Sequence, residues 1–155
     1  MNTYILSIAP LLLFTMLLVL TYRKVKNTLT VMEQFVNPVS EFPKFIESNN
    51  HCFIFFFDEV TCVKTIQKIK KIHNLLKDTK VPFIFINVVE GADPLSGTCP
   101  VCPYLTKYGI TTLPALLYIQ SGDLVKSLVK EPDHLQIDEI SSFIELITVQ
   151  RGLVS

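Results

Sequence analysis

Four cysteines, Cys52, Cys62, Cys99 and Cys102, are the residues of this chain best suited to chemistry. Cys62 follows a purely apolar run, Cys52-Phe53-Ile54-Phe55-Phe56-Phe57, which breaks at Asp58-Glu59. It opens an amphipathic stretch with Ile66, Ile69, Ile72 and Leu76 on one stripe and Lys64, Lys68, Lys70 and Lys71 off it, the pattern of a helix with one buried face. The first turn of a helix presents unpaired N–H groups and the positive end of the dipole, and Lys64 adds a cation. These features favour thiolate over thiol, and the thiolate is the nucleophile. A second reading stands beside this one: a buried cysteine packed as a small hydrophobe.

Cys99-Pro100-Val101-Cys102 is a dithiol spacing in a turn-rich loop, Glu90 to Pro103. Pro103 fits the first position of a short helix through Tyr108, and Gly109 fits its C-terminal cap. Cys102 then sits at a helix start, where its thiolate is favoured. The pair also admits a structural disulfide closing a turn, half of a metal site, or an accident of a small loop. A metal needs two more ligands, and His51, His73 and His134 fall on other parts of the chain. No metal and no cofactor is expected. Cys52, at the beginning of a buried strand, reads as a core residue.

These residues must be positioned by the elements around them. The apolar strands 52–57 and 81–89 are continuous enough to be buried on both faces, and one helix between them makes a right-handed βαβ unit with parallel strands. Loops that follow parallel strands emerge at one end of a sheet. The spacing therefore puts Cys62 and the Cys99 loop at a shared edge, where a relay between the pair and Cys62 becomes geometrically feasible. A short helix over 41–47 precedes the first strand. The strands 115–119 and 124–129 flank Ser121-Gly122-Asp123 as an antiparallel hairpin. Asp133 is a candidate cap for a last helix over 135–147, with Leu135, Ile140, Phe143, Ile144 and Ile147 facing the sheet.

The chain has 155 residues, 49% of them hydrophobic, and a formal net charge of zero. With no basic patch and no nucleic-acid motif, nucleic acid is not an expected partner. Five glycines leave little capacity for a phosphate loop, and no serine sits in a nucleophile elbow. Residues 1–22 carry no charge, and Tyr4 to Leu20 is almost wholly apolar, the length of a membrane span. Because Arg23, Lys24 and Lys26 follow the apolar run, an uncleaved single-pass anchor is expected rather than a signal peptide, with the globular part on the cytoplasmic side. The expected organisation is an anchor over 1–22, a linker over 23–40 and one α/β domain over 41–150.

From about Glu41 to Thr148 the chain resembles the thioredoxin-fold family. The likeness is carried by the strand ending Phe56-Phe57-Asp58 before Cys62, by Lys107-Tyr108-Gly109-Ile110-Thr111-Thr112-Leu113-Pro114-Ala115, and by the turn Ser121-Gly122-Asp123. It implies a mixed four-stranded sheet with helices on both faces. It also implies that Pro114 forms a cis peptide beside the active thiol and shapes substrate contact there, and that Cys62 is the exposed nucleophile. The family's Cys-x-x-Cys is here Cys62-Val63-Lys64-Thr65, with Thr65 in the resolving position, Thr61 in place of the preceding tryptophan and Phe56 in place of the buried acid. A mixed disulfide on Cys62 therefore needs another thiol for release, which Cys99 or Cys102 can supply. The resemblance implies a membrane-anchored thiol–disulfide oxidoreductase or disulfide-handling accessory factor acting on a cysteine-containing peptide or protein. Small anchored proteins of this kind are similar to accessory factors of bacteriocin or cytochrome maturation. The rival readings are a non-catalytic binding or chaperone subunit that keeps the Pro114 groove, and a metal-holding protein using Cys99 and Cys102.

Overall fold

The computed structural model describes residues 3–92, 97–132, 134–150 and 152, with side chains described at 10 and from 12 onward within that range. The chain divides into two compact units, 1–34 and 35–155. The first consists of helix α1, Thr3–Phe35, which carries Pro10 inside it and whose last residue belongs to the second unit. Its C-terminal half runs through most of the stretch expected as a linker. No glycine or proline stands between Pro10 and Asn37, so nothing in the sequence interrupts the backbone hydrogen bonds there. Among the described residues no helix is long and apolar enough to cross a membrane. The first part of the expected span, 1–9 and 11, lies outside the described side chains.

The second unit is built on a four-stranded sheet of order β2-β1-β3-β4, with β1 His51–Phe57, β2 Phe83–Asn87, β3 Ala115–Gln120 and β4 Asp123–Val129. β1 and β2 are parallel, in the register Phe53 to Phe83 through Phe57 to Asn87. β3 runs antiparallel to both β1 and β4. The β3–β4 turn uses positive φ at Ser121 and Gly122, as a tight hairpin turn requires.

Alternation along β1 sends its residues into two layers. Cys52, Ile54 and Phe56 join Ile84, Ile86, Ala115, Leu117 and Ile119 in a buried cluster with Phe42, Val101, Tyr108 and Ile110. Phe42 opens helix α2, Phe42–Ser48, after a single 3-10 turn at Val39–Glu41. On the other face Phe53 meets Tyr118, Phe55 meets Phe85, and His73 packs on Phe83 and Phe85.

The helix expected after Cys62 is two helices, α3 Val63–Ile66 and α4 Ile69–Asp78. Lys68 N donates to Thr65 O, a tightened turn between them, and Lys68 Nζ donates to Leu135 O at 2.6 Å. The apolar stripe survives the break, since Ile66, Ile69, Ile72 and Leu76 are all buried. Helix α5 covers Cys102–Lys107 and ends at Gly109, which has a positive φ. Helix α6 covers Ile137–Gln150 and packs on α4, with Ile140, Phe143, Ile144 and Ile147 buried. Its expected cap, Asp133, lies outside the described residues.

Candidate functional site

The turn between β1 and α3 is organised by Asp58. One carboxylate oxygen accepts from Val60 N at 2.7 Å and Thr61 N at 3.4 Å, the other accepts from the Thr61 hydroxyl at 3.1 Å, and Asp58 O accepts from Cys62 N at 2.9 Å. A short polar side chain that bonds the backbone two residues on is what closes such a turn. The turn delivers Cys62 to the capping position before α3.

Cys62 is a free thiol and is wholly buried, so the exposed nucleophile expected at this junction is corrected to a covered one. The physical reason lies in α3, which is only four residues long and is folded inward. Cys62, Thr65 and Ile66, spaced by three and four, share its buried side. The Cys62 sulfur has the Thr61 hydroxyl 3.7 Å away. Thr65, in the resolving position, is 1% exposed and its hydroxyl has no hydrogen-bond partner.

Two further residues shape this edge. Asn87 ends β2 opposite Phe57, is 4% exposed, and accepts from both Glu59 N and Val89 N at 3.4 Å, so one side chain ties together the loops that follow β1 and β2. Nothing was expected of Asn87 from the sequence. The available signal was a lone amide closing an otherwise apolar strand. Pro114 is buried at the head of β3, and the Leu113–Pro114 peptide is cis. Because Ala115 pairs with Phe56, Pro114 lies beside the end of β1 and so beside the Asp58 turn.

Cys99 and Cys102 are joined by a disulfide, with Cα atoms 5.3 Å apart. Cys102 is the first residue of α5 and is exposed, whereas Cys99 is half-buried against the cluster that holds Cys52, Ile54 and Phe56. Val101, between them, is wholly buried and anchors the loop. Cys62 does not belong to that cluster; it leads through α3 into α4, on the other face of the sheet. The loops thus leave the same end of the sheet, but the pair is closed on itself and Cys62 remains free. With both sulfurs in a bond the pair offers no thiolates to a metal. Among the described residues no group of three His, Cys, Asp or Glu is placed to hold one. Cys52 is buried in β1, and burial pushes its thiol up to about 12.

No protein-family model matches the chain, and no curated protein sequence does. Solved structures do. A mutant thioredoxin from Halobacterium salinarum NRC-1 superposes with a TM-score of 0.54 at 19% identity, over 78% of this chain and 92% of that one. Thioredoxin f2 from Chlamydomonas reinhardtii gives 0.53 at 14% identity, over 78% and 98%, and Plasmodium falciparum thioredoxin 0.52 at 22%, over 72% and 96%. This is the thioredoxin fold. Within it, the β1–α3 junction carries one buried thiol, and the loop leading into α5 carries the disulfide.

Proposed function

We propose that this protein carries out thiol–disulfide exchange with a cysteine-containing peptide or protein through the Cys99–Cys102 pair, on a thioredoxin-fold domain tethered by α1. The observation that carries the reading is the disulfide itself, with one of its residues, Cys102, exposed at the start of α5 and the other, Cys99, half-buried. Cys102, the exposed residue of the pair, is taken as the one a substrate reaches. A substrate thiolate attacks Cys102 Sγ, forming a mixed disulfide, while the Cys99–Cys102 bond breaks and Cys99 leaves as a thiolate that takes a proton from water. A second substrate thiolate then attacks the substrate sulfur of the mixed disulfide and releases Cys102. The substrate dithiol loses two electrons and the pair gains them; the same steps in reverse reduce a substrate disulfide.

Cys62 is not the first attacker, because it is a free thiol buried behind the Asp58 turn, and the exchange steps above need only the pair and the substrate.

A rival reading, a binding module that does no exchange, draws on specific features: the buried Cys62, Thr65 in the resolving position, and Pro114 buried beside the end of β1. The experiment that separates the two is a non-reducing gel of cells expressing Cys99→Ser. In this variant the Cys102 thiolate attacks a substrate disulfide, one substrate thiolate leaves, and without Cys99 the mixed disulfide on Cys102 has no internal exit, so a slower-migrating, reductant-sensitive adduct should accumulate. No adduct, with function retained in Cys99→Ser and lost on changing Pro114, decides for the binding module.

The tether rests on the uncharged residues 1–22 and on Leu12, Leu13, Phe14, Met16, Leu17, Leu18, Val19 and Leu20, all of them exposed on α1. By the charge rule, Arg23, Lys24 and Lys26 put the domain on the cytoplasmic side.

A further inference from the structure

We infer that the groove beside the pair seats a large apolar side chain next to the substrate's cysteine, and so selects the substrate; this rests on the exchange reading above. The groove has a volume of about 390 Å³ and is lined by Val39, Phe42, Pro43, Gly91 and Pro100, with Ser40 and Glu90 as its polar residues. Pro100 is the point that matters. It lies between the two bonded cysteines, so the wall of the groove and the disulfide are one piece of chain. Val101 fixes that piece by its complete burial, and Gly91, at φ +72°, faces Pro100, a Cβ there standing 3.6 Å from the ring's Cγ.

A peptide whose cysteine reaches Cys102 therefore passes the mouth of an apolar recess at the next step of its chain. At the small end of the ~300–1,000 Å³ range of ligand pockets, the recess suits a side chain rather than a whole cofactor. Its lining is apolar enough to reward burial of leucine or phenylalanine. Among the described lining residues Glu90 is the one that carries a charge, so a basic residue beyond the apolar one is favoured over an acidic one. The inferred substrate is a peptide segment carrying cysteine, a bulky apolar neighbour and a nearby lysine or arginine.

The test uses the full chain in detergent micelles, oxidised at the pair, and follows reduction of Cys99–Cys102 by synthetic peptides that differ only beside the cysteine. Leucine next to the cysteine should react roughly tenfold faster than serine there, the lower end of what burying one such side chain is worth. Ser40→Trp, which fills the recess from its exposed rim, should bring the ratio close to one, and Glu90→Lys should reverse a preference for lysine over glutamate at the next position. Equal rates for the leucine and serine peptides in the wild type would overturn the inference, as would a leucine preference that survives Ser40→Trp. The small thiol 2-mercaptoethanol, run on the wild type, tells the two levels apart. If it reduces the pair and the peptides show no preference, the groove assignment fails alone; if neither it nor any peptide opens the disulfide, the exchange reading fails and takes the groove with it.

Discussion

The four cysteines differ in exposure, and environment rather than residue type sets their chemistry. Cys102 is exposed, Cys99 half-buried, and Cys62 and Cys52 are enclosed. After gentle reduction, iodoacetamide near neutral pH should modify Cys102 first and Cys99 more slowly, leaving Cys62 and Cys52 silent until the chain unfolds. Peptide mass spectrometry over a time course reads the order, and a Cys62 as fast as an unstructured thiol would place it back among the exposed nucleophiles. Cys52 leads to a second expectation. Its folded thiol is raised from an ordinary 9.0 to about 12, so the folded state holds the proton more tightly than the unfolded one. Below pH 9 both states keep the proton and the contribution is intact. As pH rises above 9 the unfolded chain ionises alone, and stability falls by up to about 1.4 kcal/mol per pH unit, until the folded thiol also ionises near 12. Urea midpoints at pH 8 and pH 10 should therefore drop less in Cys52→Ala than in the wild type.

At the scale of elements, the α3–α4 break can be tested as part of the cover over Cys62. Lys68 spans the break and donates to Leu135 O at 2.6 Å, tying the start of α4 to the segment before α6. Lys68→Met keeps the aliphatic stem and removes the charged donor, which should cost about 1–2 kcal/mol and speed alkylation of Cys62 in the folded protein. A stability loss with Cys62 still silent would show that the cover rests on Thr65 and Ile66 alone. The same region shows how far the sequence could be read. The apolar runs of β1 and β2, the hairpin, the α5 cap at Gly109 and the buried stripe of α4 and α6 follow from periodicity and turn residues, so the sheet and its layers were legible. The break at Gln67-Lys68 was not: no glycine or proline marks it, and the side-chain contact made there reaches Leu135, 67 positions away. For the same reason the burial of Cys62 escaped a reading of local pattern: a helix start is exposed by default, and only the inward fold of a four-residue helix covers it. Asn87 was hidden likewise, since its partners belong to two loops that the parallel pairing of β1 and β2 brings together.

At the scale of the whole molecule, α1 poses the sharpest physical question. From Leu12 to Leu20 it exposes large apolar side chains over two and a half turns, so every side of the helix is apolar there. A helix that is apolar all round is covered by protein or lipid, not by water. The proposed tether draws on the uncharged run from Tyr4 to Leu20, which as a helix would be about 25 Å long, although among the described residues no helix is long and apolar enough to cross a membrane. Carbonate extraction of membranes from expressing cells should leave the full chain in the pellet, and Leu13→Arg with Leu17→Arg should shift it toward the supernatant, since each arginine at mid-span costs roughly 2.5–3.5 kcal/mol. The side of the membrane then bears on the chemistry. If the domain lies on the cytoplasmic side, as the charge rule on Arg23, Lys24 and Lys26 proposes, a disulfide such as Cys99–Cys102 would be transient there rather than a permanent staple. In intact cells a membrane-impermeant maleimide should thus leave Cys102 unlabelled, and permeabilisation should reveal it as a free thiol in a large share of molecules. Labelling without permeabilisation would place the domain outside. A pair found fully oxidised there would turn the expected direction of exchange toward oxidising substrate dithiols.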